Sequence, residues 1–282
     1  MARSAFAPGR MMRRAEISLG IGGSITGAVL LVALLSRFWL PADPLRLRIP
    51  QRLQAPFGGA GGLGTDAMGR DLAAQLMVGA WNSLSVAVTA VAIGLVLGAA
   101  LGLLAALKRG WIELLVLRLT DLLFAFPAIL SAIVLAALLG GGAGTAILAI
   151  SLFNVPVFAR VTRAAALGIL TQDYIRAARL SGKSGLRLAW DHLLPMLAGG
   201  LIVQATIQIA LAILTEAGLS FLGVGITPPT PSWGRMLADA QTYLARAPHL
   251  ALLPGGAIAL SVLGFNLLGD GLRDRLDPKG RR

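Results

Sequence analysis

The sequence predicts an all-α polytopic membrane protein with six transmembrane helices, and three observations carry that expectation. The chain of 282 residues is 56% hydrophobic and only 13% charged, whereas a soluble domain carries about 25% charged residues. Its charges are clustered, which leaves long runs without a single one. Between two of those runs lies a polar, basic stretch, 174–195, that must face water.

A hydrocarbon core about 30 Å thick takes about 20 apolar residues in a helix. Residues 17–36 carry no charge and supply the first span, after a tail at 1–16. The charge-free run 72–107 supplies the second span at 82–107, leaving 37–81 as an external segment. The run 122–159 is too long for one crossing, and Gly140-Gly141-Gly142-Ala143-Gly144 divides it into spans at 119–139 and 145–161. A fifth span is expected at 197–218, after Pro195, and a sixth at 250–268. Residues 82–270 then form the core, with an external loop at 219–249, and 271–282 form a second tail. Pro127 and Pro156 are expected to kink the third and fourth spans, since each removes a backbone donor.

With the N-terminus inside, 18 of the 25 Lys and Arg residues fall on the cytoplasmic side, as the positive-inside rule requires. Arg37, Arg46, Arg48, Arg52 and Arg70 run against the bias, but long loops translocate largely regardless of charge. Arg10, Arg13 and Arg14 before an apolar run also fit a signal peptide. That run is too long for one and no small-x-small cleavage site follows, so an uncleaved first span is expected. The formal charge of +12 is read as topology, with lipid as the surrounding partner and no nucleic acid bound. Cysteine is absent and there are only two histidines, His192 and His249, so neither a thiolate nor a histidine-based metal site is expected.

Two stretches imitate nucleotide-binding loops. Gly59-Ala60-Gly61-Gly62-Leu63-Gly64 matches G-x-G-x-x-G, but no strand leads into it, so it reads as a flexible turn. Gly182-Lys183-Ser184 resembles the end of a phosphate-binding loop, yet Ala177 stands where that motif needs glycine. Any nucleotide chemistry must therefore come from another chain. No group of Ser, His and acid, and no carboxylate pair, has a catalytic spacing, so the chain is not expected to be an enzyme.

Gly94, Gly98 and Gly102 recur every four residues and share one helix face, the usual device for close helix packing in lipid. Gln204, Gln208 and Thr215 share another face, which either lines a polar pathway or bonds a neighbouring helix. Glu216 is the one acidic residue well inside an uncharged run. It reads as a structural carboxylate near the outer end of its span, or as a substrate contact. Asn266 and Asp270, before Arg273, Asp274 and Arg275, read as an interfacial cap with a local ion-pair cluster.

Within 174–195, Gly182-Lys183-Ser184-Gly185 predicts a short helix up to 181, a turn, and a second helix at 186–194. Leu186, Trp190 and Leu193 make an apolar face on the second helix. It suits either a membrane surface or a partner's groove.

The spacing Ala177-Ala178, three residues, Gly182, nine residues, His192-x-Leu194-Pro195 resembles the cytoplasmic motif of binding-protein-dependent ABC import permeases. Gly64-Thr65-Asp66-Ala67-Met68-Gly69-Arg70-Asp71 resembles a signature of the dipeptide/oligopeptide-type permeases. So do Leu219-Ser220-Phe221-Leu222-Gly223, Pro228-Pro229-Thr230-Pro231-Ser232-Trp233-Gly234 and 265–274. Together they cover the chain from about residue 60 to its end, and match the second permease subunit of that subfamily. Two positions depart: Arg176 stands where the family carries Glu, and His192 where the general motif has Ile.

The resemblance implies the ABC type I importer permease fold in a bacterial or archaeal cell (inner) membrane, with both termini cytoplasmic. It makes 168–195 the coupling segment between spans 4 and 5, carried by Arg176, Ala177, Ala178, Gly182, His192, Leu194 and Pro195. Small residues at 177, 178 and 182 would let its backbone approach an ATPase closely. The partners implied are a homologous second permease, two cytoplasmic ATPases that bind ATP and Mg, and an external solute-binding protein. No cofactor is implied in this chain. The solute would be a peptide, or alternatively nickel or another small solute. The reading from another class is a stand-alone secondary transporter or channel, which tends to carry charged pairs or broken helices at mid-membrane. Here only Glu216 approaches that.

Overall fold

The computed structural model describes residues 8–58 and 62–276, and these form helices joined by short connections. In order they are α1 (Pro8–Leu35), α2 (Leu72–Leu107), α3 (Trp111–Ala125), α4 (Ala128–Leu139), α5 (Ala143–Leu170), α6 (Asp173–Leu180), α7 (Gly185–Leu188), α8 (Leu194–Phe221), α9 (Trp233–Ala240) and α10 (His249–Leu276). Five helical stretches are long and apolar enough to cross a bilayer, and the bent pair α3–α4 makes a sixth if counted as one span. The end of the bundle that carries 108–110 and 171–193 is here the lower end. The opposite end, carrying 37–71 and 222–248, is the upper end.

Packing runs from α1 to α10, then α8, α2 and α5, with α3 and α4 laid against α5. In lipid there is no hydrophobic force between helices, so association depends on backbones coming close. The α2–α5 seam shows how. A Cβ on Gly98 would lie 2.5 Å from the Val155 carbonyl oxygen, and one on Gly102 2.8 Å from Thr162 Cβ. Gly94 faces Asn154 in the same way. The α1–α10 seam repeats the device with Gly22 against Leu267, Gly264 against Ile25 and Gly271 against Leu19.

The helices outrun the spans expected from charge. α2 has 36 residues, about 54 Å at 1.5 Å per residue, and begins at Leu72 rather than 82. The Asp71 carboxylate caps it, accepting from Ala74 N–H at 2.8 Å. The Arg37 guanidinium lies 5.3 Å from the Trp81 ring centroid, so the top of α1 is level with Trp81. The first turns of α2 therefore extend beyond the top of α1. α5 likewise continues past 161 to Leu170, with Pro156 inside an unbroken helix. α10 runs on past 268 to Leu276. The tails at 1–7 and 277–282, and the turn at 59–61, lie outside the described residues.

The third span differs most. It is no single rod at 119–139, because α3 starts at Trp111 and meets α4 at a bend of 86°. Pro127 lacks the N–H a helix needs and forces its predecessor out of the helical region. Phe126 is accordingly extended, at φ −95° and ψ 130°. Two of the three charges on α3 are matched across the seam: Glu113 pairs with Arg163, and Asp121 with Arg160.

The segment at 168–195 departs too. Its second helix does not end before the fifth span. α7, a π-helical turn at Ala189–Leu193 and α8 form one continuous path. A proline ring clashes with the carbonyl four residues back, which for Pro195 is Asp191, and the widened π turn accommodates it there.

Candidate coupling surface and translocation pathway

α6 hangs from the lower end by Ile175, which is fully buried, while Arg176 and Ala177 are exposed and Ala178 is half-buried. Arg176 pairs with Asp173 at 3.2 Å on an open surface, a contact worth little by itself. Gly182 ends the helix at φ +84°, donating its N–H to the Arg179 carbonyl at 3.0 Å. Nothing lies within 4 Å of where its Cβ would be. Within this chain its requirement is the left-handed conformation rather than space.

From the turn after Gly182, Lys183 reaches across to Asp191 at 3.0 Å and to His192 Nε2 at 3.1 Å. That hydrogen bond and the ammonium charge hold the Asp191 carboxyl below its ordinary range. The His192 ring meets Tyr174 edge-on. Two helices of one short hairpin are thereby locked together, and Leu188, Ala189 and Leu193 seat it on the bundle. The expected apolar face is split. Leu193 is buried, because the π turn rotates it inward, whereas Leu186 and Trp190 are 81% and 73% exposed. Leu180 joins them at 90%. Leu194 is half-buried and Pro195 exposed at the root of α8.

The Gln204, Gln208 and Thr215 stripe is resolved by a cavity of about 210 Å³ bounded by α3, α4, α5 and α8. Gln208 and Thr215 line it, and Gln204 does not. Asn154 of α5 also lines it, a polar member the sequence reading missed. Its immediate neighbours, Phe153 and Val155, are apolar and gave no signal. Most of the remaining wall is apolar, including Phe124, Ile150 and Phe153.

Glu216 turns away from that cavity and is completely buried. Its Oε1 accepts from the Ser220 hydroxyl at 2.6 Å, and Ser83 of α2 lies beside the same carboxylate. Ser220 Oγ accepts from Ile226 N–H at 2.9 Å, and Ser83 Oγ from Trp233 N–H at 3.3 Å. The Trp233 indole donates to the Leu76 carbonyl at 3.1 Å, and Asn82 to the Pro231 carbonyl at 2.7 Å. The motifs at 219–223 and 228–234 thus wrap one buried carboxylate and fasten α9 across α2 and α8. Glu216 has no salt bridge among the described residues, so its charge is not used within the chain. Glu216→Gln, which keeps the acceptor for Ser220, is expected to hold thermal stability within about 1 kcal/mol. Glu216→Leu strands both serine hydroxyls and should lose about 1–3 kcal/mol. Equal losses in the two variants, read by thermal unfolding in detergent, would contradict this.

At the upper end, Asp66 organises the loop before α2. Its carboxylate accepts from the N–H groups of Met68 and Arg70 at 2.8 Å, from Arg70 Nε at 2.6 Å and from Gln75 Nε2 at 2.9 Å. Gly69, at φ +74°, lies against the Arg48 backbone where no side chain fits. The signature at 64–71 is therefore a folded clasp held by one carboxylate.

Residues 94–282 match the profile of the binding-protein-dependent transport system inner membrane component family. The glutathione transport system permease protein GsiD of Pectobacterium atrosepticum is 40% identical over 248 residues, covering 88% of this chain and 82% of that protein. The same-named protein of Salmonella typhimurium is 43% identical over 276 residues, covering 96% and 89%. The di/tripeptide transport system permease protein DppC of Pseudomonas aeruginosa is 47% identical over 217 residues, covering 77% and 72%. Among solved structures, an inward-facing MetNI methionine ABC transporter shares the fold, with a TM-score of 0.60 at 20% identity over 70% of this chain and 93% of that one. The chain belongs to the binding-protein-dependent inner membrane components, the non-catalytic and cofactor-free permease subunits of ABC importers.

Proposed function

We propose that this permease forms half of an ATP-driven import pathway for a small peptide or a glutathione-like peptide, paired with a homologous subunit. The lower end is cytoplasmic, with both termini on that side, and two ATPases bind beneath the permease pair, one of them on this chain's α6–α7 hairpin. The external binding protein delivers solute at the upper end, above the clasp at 64–71. The observation that carries the coupling role is the hairpin's build. It is rigidly seated through Ile175, Leu188 and Leu193, yet holds Leu180, Leu186 and Trp190 out in a basic, water-facing segment. Such a combination is wasteful without a partner groove. The relatives named for glutathione and di/tripeptides support the solute class.

Co-expression with the neighbouring transport genes tests the reading. A tag on this chain should bring down a second permease and the ATPases, and the reconstituted complex should import a dipeptide or glutathione only with ATP and binding protein. Import by this chain alone in liposomes under an ion gradient would refute it.

A further inference from the structure

The α3–α5 seam holds two ion pairs, and they are not alike. Glu113–Arg163 is largely covered, with side chains 19% and 27% exposed, and suffices as a strut. Asp121–Arg160 is half open, at 54% and 44%. The Arg160 guanidinium also lies over the Phe124 ring, 4.5 Å from its centroid, and Phe124 lines the cavity that Asn154 and Gln208 line. Asp121 is one helical turn below Phe124, and Arg160 is six residues below Asn154, about 9 Å along the helix. The open pair therefore sits at the cytoplasmic rim of the cavity. Arg160 is some 25 Å from the outer start of α5, within the thickness of a bilayer. Charges at that depth face a water-filled path or a partner rather than lipid.

The cavity and its rim offer three kinds of group in order along the path. Buried amides come first: Gln208 is 7% exposed, as is Asn154, whose Oδ1 has no partner among the described residues. Below them stand one anion and one cation, each open enough to exchange partners.

We propose that Asp121 and Arg160 recognise the ammonium and carboxylate termini of a short peptide in transit, while Asn154 and Gln208 meet its amide groups. This rests on the peptide reading above. In the closed pathway the two charges hold each other and cap the cavity. A zwitterionic solute replaces each by its own opposite charge, which opens the rim without leaving either ion unpaired. A solute lacking one terminal charge leaves one ion uncompensated and passes slowly.

The test uses the reconstituted complex of both permeases, ATPases and binding protein. It compares a free dipeptide, its N-acetyl form and its C-terminal amide, each saturating the binding protein. Uptake is read per ATP hydrolysed. The wild type should carry the free dipeptide at least tenfold better than either blocked form. Arg160→Gln should bring the amide to within about twofold of the free peptide, and Asp121→Asn should do so for the N-acetyl form. If both variants lower all three uptakes equally, the pair is only a strut and the proposal falls. The same follows if the wild type carries all three alike. A wild type that moves no peptide would instead overturn the solute class, and this site with it.

Discussion

Leu186→Asp combined with Trp190→Asp should leave the permease inserted and folded but reduce co-purification of the ATPases at least tenfold. Substrate-stimulated ATP hydrolysis should fall with it. Both side chains are well exposed on the hairpin, at 81% and 73%, so neither contributes to the bundle's own core. Tryptophan is among the residues that dominate interfaces, where removing one such anchor costs about 2 kcal/mol or more. A loss of that size weakens docking by roughly 30-fold. The seat of the hairpin is untouched, because Ile175, Leu188 and Leu193 remain in place. Normal ATPase recovery with the double variant would show that docking lies elsewhere. A variant that no longer reaches the membrane would show instead that the two side chains are structural.

Gly98→Ala should destabilise the bundle by about 1–3 kcal/mol, the range for overpacking a tight interior. The added methyl would meet the Val155 carbonyl oxygen at 2.5 Å and Phe158 Cβ at 2.6 Å. Backbone on the far side cannot swing away as a flexible side chain could, so α2 and α5 must separate. Gly27→Ala is the matched control. It lies in α1 with nothing within 4 Å of the new Cβ, and should be neutral or slightly stabilising, as alanine favours helix. Thermal unfolding in detergent and folded yield distinguish the two. Equal melting temperatures for both variants would mean that the α2–α5 seam is looser than its geometry implies.

Much of this could be read along the chain. Charge-free runs located the membrane helices, because burying a charge in lipid costs more than helix propensity can offset. The four-residue recurrence of Gly94, Gly98 and Gly102 marked a face for close packing, but not that Asn154, Val155 and Thr162 would fill it. The helix ends were harder. Counting charges placed the third span at 119–139 and the fourth at 145–161. Glu113 and Arg163 lie in helix beyond those bounds, since each finds its opposite across the seam 50 residues away. A charge that finds its opposite on a neighbouring helix does not bound a helix.

The candidate site divides the same way. The basic segment at 174–195, its glycine punctuation and its family spacing were evident from residue order. That Leu193 turns inward while Leu186 and Trp190 stay out required the π turn, a local widening set by Pro195 and by what the bundle could accept. Glu216 stood out as an unusual residue, but its meaning required Ser83 and Trp233, brought from elsewhere in the chain. Gln208 and Thr215 showed as a stripe, and only the bent α3–α4 pair turned that stripe into a cavity wall.

By itself, the sequence determined the membrane setting and the polar segment between the long helices, because these follow from local hydropathy and turn chemistry. The tertiary structure alone decided which charges are matched, which apolar side chains stay exposed, and which polar groups share a cavity. Those depend on contacts between residues tens to more than a hundred positions apart, which no local pattern encodes.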